Sequence, residues 1–252
     1  MKILYFENLK TTKRHYGFLR DTHVHIIEGN IFEKFNITDE TITLDNIKIL
    51  PPTNPSKIIG VGLNYVDHAK EVKMKIPKEP ILFLKPNSSV IGQNDNIVLP
   101  NQSNKVEYEA ELAVIIKKKA KQIEISRAKE YILGYTCAND VTARDLQQSD
   151  SQWTRAKSFD TFCPIGPFIE TALDPTNLDI KLFLNKKLRQ DSNTNLMIFG
   201  IYKLISYISH IMTLYPGDAI LTGTPPGVGP INKGDEIIVS IQGIGELRNF
   251  VI

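Results

Sequence analysis

One segment near the middle of the chain limits the possible folds more than any other. Between Val106 and Lys117, apolar side chains recur at every second position from 106 to 114, which is the period of a β-strand. The alternate positions hold Glu107, Glu109 and Glu111, so the strand would carry an acidic row on its opposite face. We therefore expect a fold built around a sheet that contains this strand.

The acidic row has two interpretations. Like charges on one face repel each other, and a bound divalent cation would remove that repulsion. Carboxylate oxygens are hard ligands that suit Mg²⁺, Mn²⁺ or Ca²⁺ better than Zn²⁺. The alternative is a half-exposed sheet whose acidic face simply points into solvent. The strand pattern by itself leaves both interpretations open.

A second polar cluster follows a short apolar strand that ends at Asn139. Asp140 could cap the next helical turn, or it could be a ligand at the mouth of the sheet. Arg144 and Gln147 are three residues apart on that turn and share a face. A guanidinium beside an amide would suit a substrate that bears a carboxylate, so both are candidate substrate-binding residues.

The remaining pattern predicts mostly strands, with few helices between them, which disfavours a doubly wound parallel sheet. Apolar or alternating runs predict strands at Lys2–Phe6, Tyr16–Leu19, Val24–Glu28, Lys57–Val61, Pro80–Lys85, Tyr135–Asn139, Asp179–Leu184, Asp218–Thr222 and Glu236–Gln242. Helical patterns predict a serine-capped helix at Ser126–Leu133, a turn at Thr142–Ser149 and an amphipathic helix at Gly200–Leu214. The glycine-rich segment from Leu221 to Gly229 lacks a P-loop Lys-Ser/Thr pair and suits a tight turn that exposes backbone N–H groups.

Composition and charge exclude several classes of protein. The net charge of +2 over 252 residues is too small for a nucleic-acid footprint. Two cysteines cannot build a disulfide framework, and no apolar run approaches the roughly 18 residues of a membrane span. We therefore expect a cytoplasmic protein with no nucleic-acid or membrane partner. Prolines 51, 52 and 55 predict a linker between a small β domain, residues 1–52, and a larger domain, residues 53–252.

The motifs of the larger domain, taken together, resemble the fumarylacetoacetate hydrolase family, and in particular its short bacterial and archaeal acylpyruvase and hydroxymuconate-isomerase-like members. The resemblance runs from about residue 57 to residue 252 and rests on six motifs in family order. These are Gly62-Leu-Asn-Tyr-x-x-His68-x-x-Glu71, Phe83-Leu-Lys-Pro86, Glu109-Ala-Glu111-Leu-Ala, Asn139-Asp-Val-Thr-Ala-Arg-Asp-Leu-Gln147, Lys157-Ser-Phe-Asp-Thr-Phe-x-Pro-x-Gly-Pro167, and Pro216-Gly-Asp218 leading to Thr222-Gly-Thr-Pro-x-Gly-Val-Gly229.

The resemblance implies a role for individual residues. It implies metal ligation by Glu109, Glu111 and Asp140 and leaves Glu107 outside the triad. It implies a place near the metal for Lys157, substrate contacts for Gln147 and Thr224, and a His-x-x-Glu pair, His68 and Glu71, on a segment that orders over substrate in some members. It also implies a homodimer, and the metal is expected to be Mg²⁺ or Mn²⁺, with Ca²⁺ possible in crystals.

Three features depart from the family pattern. Ala156 stands where a glycine often precedes the lysine, so the resemblance does not extend to the backbone there. Lys186 replaces the glycine of a common Asn-Gly hairpin turn, which should affect only that loop. Residues 1–52 match nothing in the motif set.

The expected fold class is α+β and mainly β, a fumarylacetoacetate hydrolase-like mixed β-sandwich roll with a small N-terminal β appendage. The expected activity is metal-dependent hydrolysis of a C–C bond in acylpyruvate-like 2,4-dioxo acids, with His68 as base, Glu71 orienting its ring and Lys157 adding positive charge. One alternative is isomerisation of a 2-hydroxyhepta-2,4-diene-1,7-dioate-type acid or decarboxylation of an oxaloacetate-type acid. Another is a non-catalytic metal-binding protein.

Overall fold

The computed structural model describes all residues from 1 to 252, and it is mainly β, as the sequence predicts. The strands are β1 (Lys2–Asn8), β2 (Arg14–Arg20), β3 (His23–Gly29), β4 (Phe35–Thr43), β5 (Ile47–Leu50), β6 (Ile58–Gly62), β7 (Ile81–Lys85), β8 (Val90–Ile91), β9 (Asn96–Ile97), β10 (Val106–Tyr108), β11 (Ala110–Ile116), β12 (Ile132–Asn139), β13 (Thr142–Ala143), β14 (Cys163–Glu170), β15 (Asp179–Leu184), β16 (Lys187–Asn193), β17 (Ala219–Leu221), β18 (Gly229–Pro230), β19 (Glu236–Ile241) and β20 (Gly245–Val251). The helices are α1 (Val66–Glu71), α2 (Arg144–Ser149), α3 (Thr154–Lys157) and α4 (Ile201–Ile211). Short 3₁₀ turns occupy Leu44–Asn46, Asn87–Ser89, Ile125–Tyr131 and Thr194–Leu196.

Three sheets make up the fold. The largest has twelve strands, with the order β4-β3-β2-β1-β14-β12-β11-β17-β6-β7, and β5 and β8 pair with it at its sides. A five-stranded sheet, β16-β15-β19-β20-β9, packs against β11, β12 and β14 of the large sheet. A small sheet, β13-β10-β18, completes the set. The largest apolar cluster lies between the layers and takes in α4, whose buried residues include Leu204, Ile205 and Ile208. The fold is therefore the mixed, layered sheet that the sequence predicts.

The N-terminal strands continue the large sheet. β1 pairs antiparallel with β14, with Ile3 opposite Ile169, and Ile3 lies in the same buried cluster as Ile165. Two strands of this region were not predicted, because β4 is mostly exposed and lacks apolar alternation, and β5 is only four residues long. The division at residue 52 stays a prediction, although the pairing shows that residues 1–52 share a sheet with the rest of the chain.

The sequence predicts one long strand between Val106 and Lys117, and this prediction is wrong in one respect, because the strand breaks at Glu109. β10 pairs with β13 and β18, whereas β11 pairs with β12 and β17 in the large sheet. At the break, the backbone N–H of Glu109 donates to the Asn139 side-chain oxygen (2.9 Å), and the Asp140 N–H donates to the Glu109 carbonyl (2.9 Å). The register of β11 and β12 carries past Ala110 and Asn139, so Glu109 and Asp140 lie beside each other at this break.

Two helix predictions are also wrong in detail. Ser126 caps no helix, because residues 125–131 form a 3₁₀ turn preceded by Glu124, and the chain joins β12 at Ile132. The turn expected from Thr142 begins two residues later at Arg144, since Thr142 and Ala143 pair with β10. In both places, pairing with a distant strand overrides the local preference for a helix.

Other local predictions are confirmed. α4 starts after Gly200 and ends at Ile211, inside the predicted amphipathic helix. The β15–β16 hairpin forms as expected, and its turn residues Asn185 and Lys186 both have positive φ (51° and 65°). That lysine at position 186 affects only this loop stays a prediction. No helix of the chain is both long enough and apolar enough to cross a bilayer. The cytoplasmic location stays a prediction.

Candidate active site

The three predicted metal ligands lie together. One carboxylate oxygen from each of Glu109, Glu111 and Asp140 falls within 4.8 Å of the other two, and all three residues are buried. Oxygen ligands sit roughly 2.0–2.6 Å from Mg²⁺ or Ca²⁺, so two ligands of one ion lie at most about 5 Å apart. The donor set and its spacing therefore fit one hard divalent cation.

Each ligand comes from the end of a different structural unit. Glu109 occupies the break between β10 and β11, Glu111 lies in β11, and Asp140 follows the last residue of β12. β11 and β12 pair antiparallel with Ala110 opposite Asn139, so the register itself places Glu111 and Asp140 at the same end of the sheet. Strand pairing thus sets the position of the triad.

Lysine and arginine side chains hold two of the ligands. The Lys157 ammonium donates to Glu109 (2.8 Å), Asp140 (2.5 Å) and the Thr142 hydroxyl (2.7 Å), which uses all three of its N–H groups. The Arg144 guanidinium donates to Glu109 (2.5 Å). Burial alone would raise the pKa of Glu109, but Lys157 and Arg144 outweigh it and lower that pKa. Glu109 is therefore ionised and ready to ligate.

The sequence predicts that Arg144 contacts substrate, but in the structure its guanidinium also forms hydrogen bonds within the protein. Besides Glu109, its guanidinium donates to Glu107 (2.6 Å) and to the Gln147 amide oxygen (2.5 Å). Three of its five N–H groups are thus committed within the protein, while Arg144 and Gln147 both line the pocket. Arg144 links Glu107 to Glu109, and contact of Arg144 and Gln147 with substrate stays a prediction.

Lys85 belongs to the Phe83–Pro86 motif, but the sequence left open whether it lines the pocket or is structural. It is buried, and its ammonium donates to Asp140 (2.5 Å) and to the Val141 carbonyl (3.2 Å). A signal was present, since Ile81, Phe83 and Lys85 share one face of β7, and a lysine that ends an apolar strand face needs an anion once it is buried. Lys85 and Lys157 together hold both oxygens of Asp140.

Glu111 is the ligand without an ion-pair partner. Its carboxylate accepts the backbone N–H of Gly223 (2.5 Å), and burial together with the charges of Asp140 and Glu109 raises its pKa well above 4.5. Gly223 has φ of +98°, and an added Cβ would lie 2.6 Å from that of Asn64, so only glycine brings the N–H this close. Counting Glu107, four carboxylates face three buried cationic side chains, those of Lys85, Arg144 and Lys157, and the exposed Lys105 also pairs with Glu107 (3.2 Å). A divalent cation would make the site net positive and attractive to an anionic substrate.

We expect cation binding to release a proton from Glu111. Because its pKa is raised in the metal-free protein, Glu111 holds a proton at pH values between 4.5 and the raised pKa, and a cation must displace it. The affinity for Mg²⁺ should therefore rise with pH through this window and level off above it. Calorimetric titration in two buffers of different ionisation enthalpy measures the release. Binding heats that do not depend on the buffer would contradict the prediction.

His68 and Glu71 form the predicted pair at the pocket. His68 is buried in α1 and lines the pocket, and its Nδ1 lies 3.0 Å from one Glu71 carboxylate oxygen. The other Glu71 oxygen accepts the backbone N–H of Gly227 (2.9 Å). Glu71 therefore ties α1 to the glycine-rich loop, which exposes its N–H groups as the sequence suggests. The segment lies over the site, since His68 lines the pocket.

The last two predicted site residues also reach the pocket. Thr224 lines it, and its hydroxyl oxygen accepts from the Gln190 amide (2.9 Å), which leaves its O–H free to donate. Ala156 is fully buried within α3, where alanine is a good helix former, so the missing glycine leaves Lys157 well placed. Every predicted site residue except Glu71 lines one cavity of about 220 Å³.

Comparison with known proteins agrees with this architecture. Residues 57–252 match the family model described as fumarylacetoacetate (FAA) hydrolase C-terminal, and residues 1–52 match one described as Rv2993c-like, N-terminal. The chain is 55% identical to an uncharacterized protein of Methanocaldococcus jannaschii over 87% of its own length and 94% of that protein. It is 46% identical to the mitochondrial oxaloacetate tautomerase Fahd2a of Rattus norvegicus over 81% of its own length and 69% of the relative.

A solved structure shows the same fold along the whole chain. The crystal structure of 5-carboxymethyl-2-hydroxymuconate delta-isomerase from Mycobacterium smegmatis superposes with a TM-score of 0.94 at 41% identity, covering 100% of this chain and 99% of that one. The family model spans the residues that carry the triad, Lys157 and the His68–Glu71 pair. This chain therefore belongs to the fumarylacetoacetate hydrolase family.

Proposed function

We propose that this chain is a divalent-cation-dependent enzyme that interconverts the enol and keto forms of small 2-oxo acids of the oxaloacetate type. The observation that carries the proposal is the meeting of two groups in one cavity. The buried triad offers a cation site, and His68, held by Glu71, offers a base beside it. The rat relative named as an oxaloacetate tautomerase supports this choice of reaction over the hydrolysis that the sequence favours.

The triad and the His68–Glu71 pair would have different roles in the enol–keto reaction. A divalent cation at the triad would supply Lewis-acid polarisation of the 2-oxo carboxylate head group. Because the Glu71 carboxylate accepts from Nδ1–H of His68, Nε2 of that ring is left to take a proton from C3 of the substrate. The electron pair of the broken C–H bond forms the C2–C3 double bond. The negative charge goes to the C2 oxygen, which takes a proton from water to give the enol, while the protonated His68 gives its proton back to the hydroxide that this leaves. The reverse sequence gives the keto form.

Other residues would hold the substrate and its charge. Lys157 cannot donate a further hydrogen bond while it holds Glu109, Asp140 and Thr142, so its contribution is the field of its positive charge near the developing anion. The amide N–H₂ of Gln147 and the hydroxyl of Thr224 are free to donate to carboxylate oxygens of the substrate. The homodimer stays a prediction, which sedimentation of the protein would test.

The second candidate is hydrolysis of acylpyruvates, the first choice from the sequence. The same observation favours it, since a base oriented by a carboxylate can also take a proton from water. Isomerisation or decarboxylation of related dioic acids would use the same head-group site. A non-catalytic metal protein would need neither His68 nor Glu71.

A turnover panel with added Mg²⁺ or Mn²⁺ separates these candidates. Its substrates are the enol and keto forms of oxaloacetate, two acylpyruvates and a hydroxymuconate-type dienoate, and a chelator-treated sample is the control. We expect fast enol–keto interconversion of oxaloacetate, followed by its ultraviolet absorbance, with slow or no cleavage of acylpyruvates. Acylpyruvate cleavage at the higher rate would favour the hydrolase, and no turnover of any substrate would favour the non-catalytic protein.

A further inference from the structure

A buried glutamine joins two parts of the site, the strand β11 and the glycine-rich loop that follows β17. Gln190 is fully buried, although the other residues of its own strand, β16, are exposed or half-buried. β16 is an edge strand of the five-stranded sheet, so this side chain leaves its sheet to reach β11 and the loop. An amide is costly to bury unless its polar groups are bonded, so the partners of Gln190 indicate its role.

The Gln190 amide bonds to both parts. Its oxygen accepts the backbone N–H of Ala110 (2.9 Å), and its nitrogen donates to the Thr224 hydroxyl oxygen (2.9 Å) and to the Pro225 carbonyl (2.8 Å). The Ala110 N–H can only donate and the Pro225 carbonyl can only accept, so the amide has one possible orientation. Both amide hydrogens are therefore used on the loop, and the oxygen is used on β11.

The amide bridges a place where the loop has left the sheet. β11 pairs antiparallel with β17, and continuing this register past Ala113 and Leu221 would place Ala110 opposite Thr224. The backbones do not pair there, and the Gln190 side chain connects the two residues instead. Ala110 separates the two glutamates of the triad. Gln190 therefore holds the loop against the segment of β11 that carries these ligands.

These contacts determine which hydrogen-bonding group Thr224 offers. Its oxygen accepts from Gln190, so its hydrogen must point to a different acceptor, and the hydroxyl makes no second hydrogen bond within the protein. Thr224 is buried and lines the cavity of the triad. The hydroxyl is therefore arranged to donate to a group in that cavity. A donor of this kind favours a ligand that brings a carboxylate oxygen over one that brings a donor of its own.

We infer that Gln190 is a positioning residue for ligand binding. It holds the glycine-rich loop at the end of β11 and keeps the Thr224 hydroxyl as a hydrogen-bond donor to an anionic ligand in the cavity. Gln190 itself does not line the cavity, so it acts through Thr224 and not by contact with the ligand. The inference rests on the proposed function only in taking a carboxylate bound beside a divalent cation as the ligand.

A double-mutant cycle with oxalate tests this role without turnover. Oxalate, which resembles the head group of a 2-oxo acid, is titrated by calorimetry into the Mg²⁺-saturated protein. Gln190→Met deletes all three contacts at a similar side-chain length, and Thr224→Val deletes the hydroxyl at a similar shape. We expect each variant to bind oxalate about tenfold more weakly, as for the loss of one hydrogen bond to a charged group. The double variant should also lose about tenfold, and not about a hundredfold, because both changes remove the same hydrogen bond.

Two further variants separate positioning from a general loss of structure. Gln242→Met is the matched control, since Gln242 also accepts a backbone N–H, that of Asp179 (3.2 Å), but is exposed and does not line the cavity. It should leave oxalate affinity unchanged. Gln190→Leu repeats the deletion with another side chain in case Gln190→Met fails to fold. A role of Gln190 in stability alone would lower the melting temperature and leave the oxalate affinity of the folded protein as it was.

The outcomes separate this inference from the proposed function. Unchanged oxalate affinity in either single deletion, or losses that add up in the double variant, would overturn the role of Gln190 and leave the head-group site standing. Failure of oxalate to bind the Mg²⁺-loaded wild type would overturn both. A cycle that behaves as expected, in a protein that turns over no 2-oxo acid, would support Gln190 as the positioning residue and overturn only the proposed reaction.

Discussion

Replacing Lys157 with methionine is expected to lower turnover by about 100-fold or more, as for other lost groups that stabilise a developing oxyanion. Methionine keeps much of the length of the side chain and deletes its charge. The same change leaves Glu109 and Asp140 short of a buried cation, so the metal-free variant should lose about 3–5 kcal/mol of folding free energy. Burial alone would lower the pKa of Lys157, but the carboxylates of Asp140 and Glu109 outweigh burial and raise this pKa. Lys157 is therefore charged, and the methionine variant loses one full positive charge.

Saturating Mg²⁺ distinguishes the two effects of this substitution. A cation at the triad neutralises the same carboxylates, so it should restore most of the lost stability and bind at least as tightly as in the wild type. Turnover should stay low, because the charge near the substrate is still missing. The matched control is Lys118→Met, which removes a half-exposed lysine paired with Glu130 and should cost less than about 1 kcal/mol. Full activity of Lys157→Met would show that the assigned role is wrong.

Replacing His68 with alanine is expected to lower enol–keto interconversion by about 10²–10⁴-fold, the usual contribution of a positioned general base. Cation affinity should not change, because His68 is not among the ligands of the triad. Steady-state kinetics and calorimetric titration with Mg²⁺ measure the two quantities. Glu71→Gln is the companion variant. It keeps one acceptor oxygen, for either His68 or Gly227, and replaces the other oxygen and the negative charge with an amide N–H₂. The base itself is retained, so its loss should be smaller.

Chemical rescue separates proton transfer from closure of the segment over the site. If His68 transfers the proton, added imidazole should recover part of the turnover of His68→Ala and none of the turnover of Lys157→Met. If His68 serves only to hold α1 in place, imidazole should restore nothing and the Michaelis constant should rise. The ratio of oxaloacetate interconversion to acylpyruvate cleavage, measured in wild type and His68→Ala, shows whether one base serves both reactions.

Local pattern was enough to predict much of the fold and the ligand set. The alternation around Leu112 predicts the central strand, and the 3.6-residue period predicts α4, because each period fits only one kind of secondary structure. The order of motifs along the chain gives Glu109, Glu111 and Asp140, which the strand register then brings together. These features follow from spacings of a few residues and from the family resemblance.

The tertiary structure alone decided which groups surround those ligands. Lys85 reaches Asp140 across 55 residues, and Glu71 reaches Gly227 across 156, so no local pattern specifies either contact. The break at Glu109 likewise depends on the Asn139 side chain, 30 residues away, taking the place of a strand partner. The physical reason is that buried charges and N–H groups must find partners wherever the chain brings them, and only the packed sheets determine which partners those are.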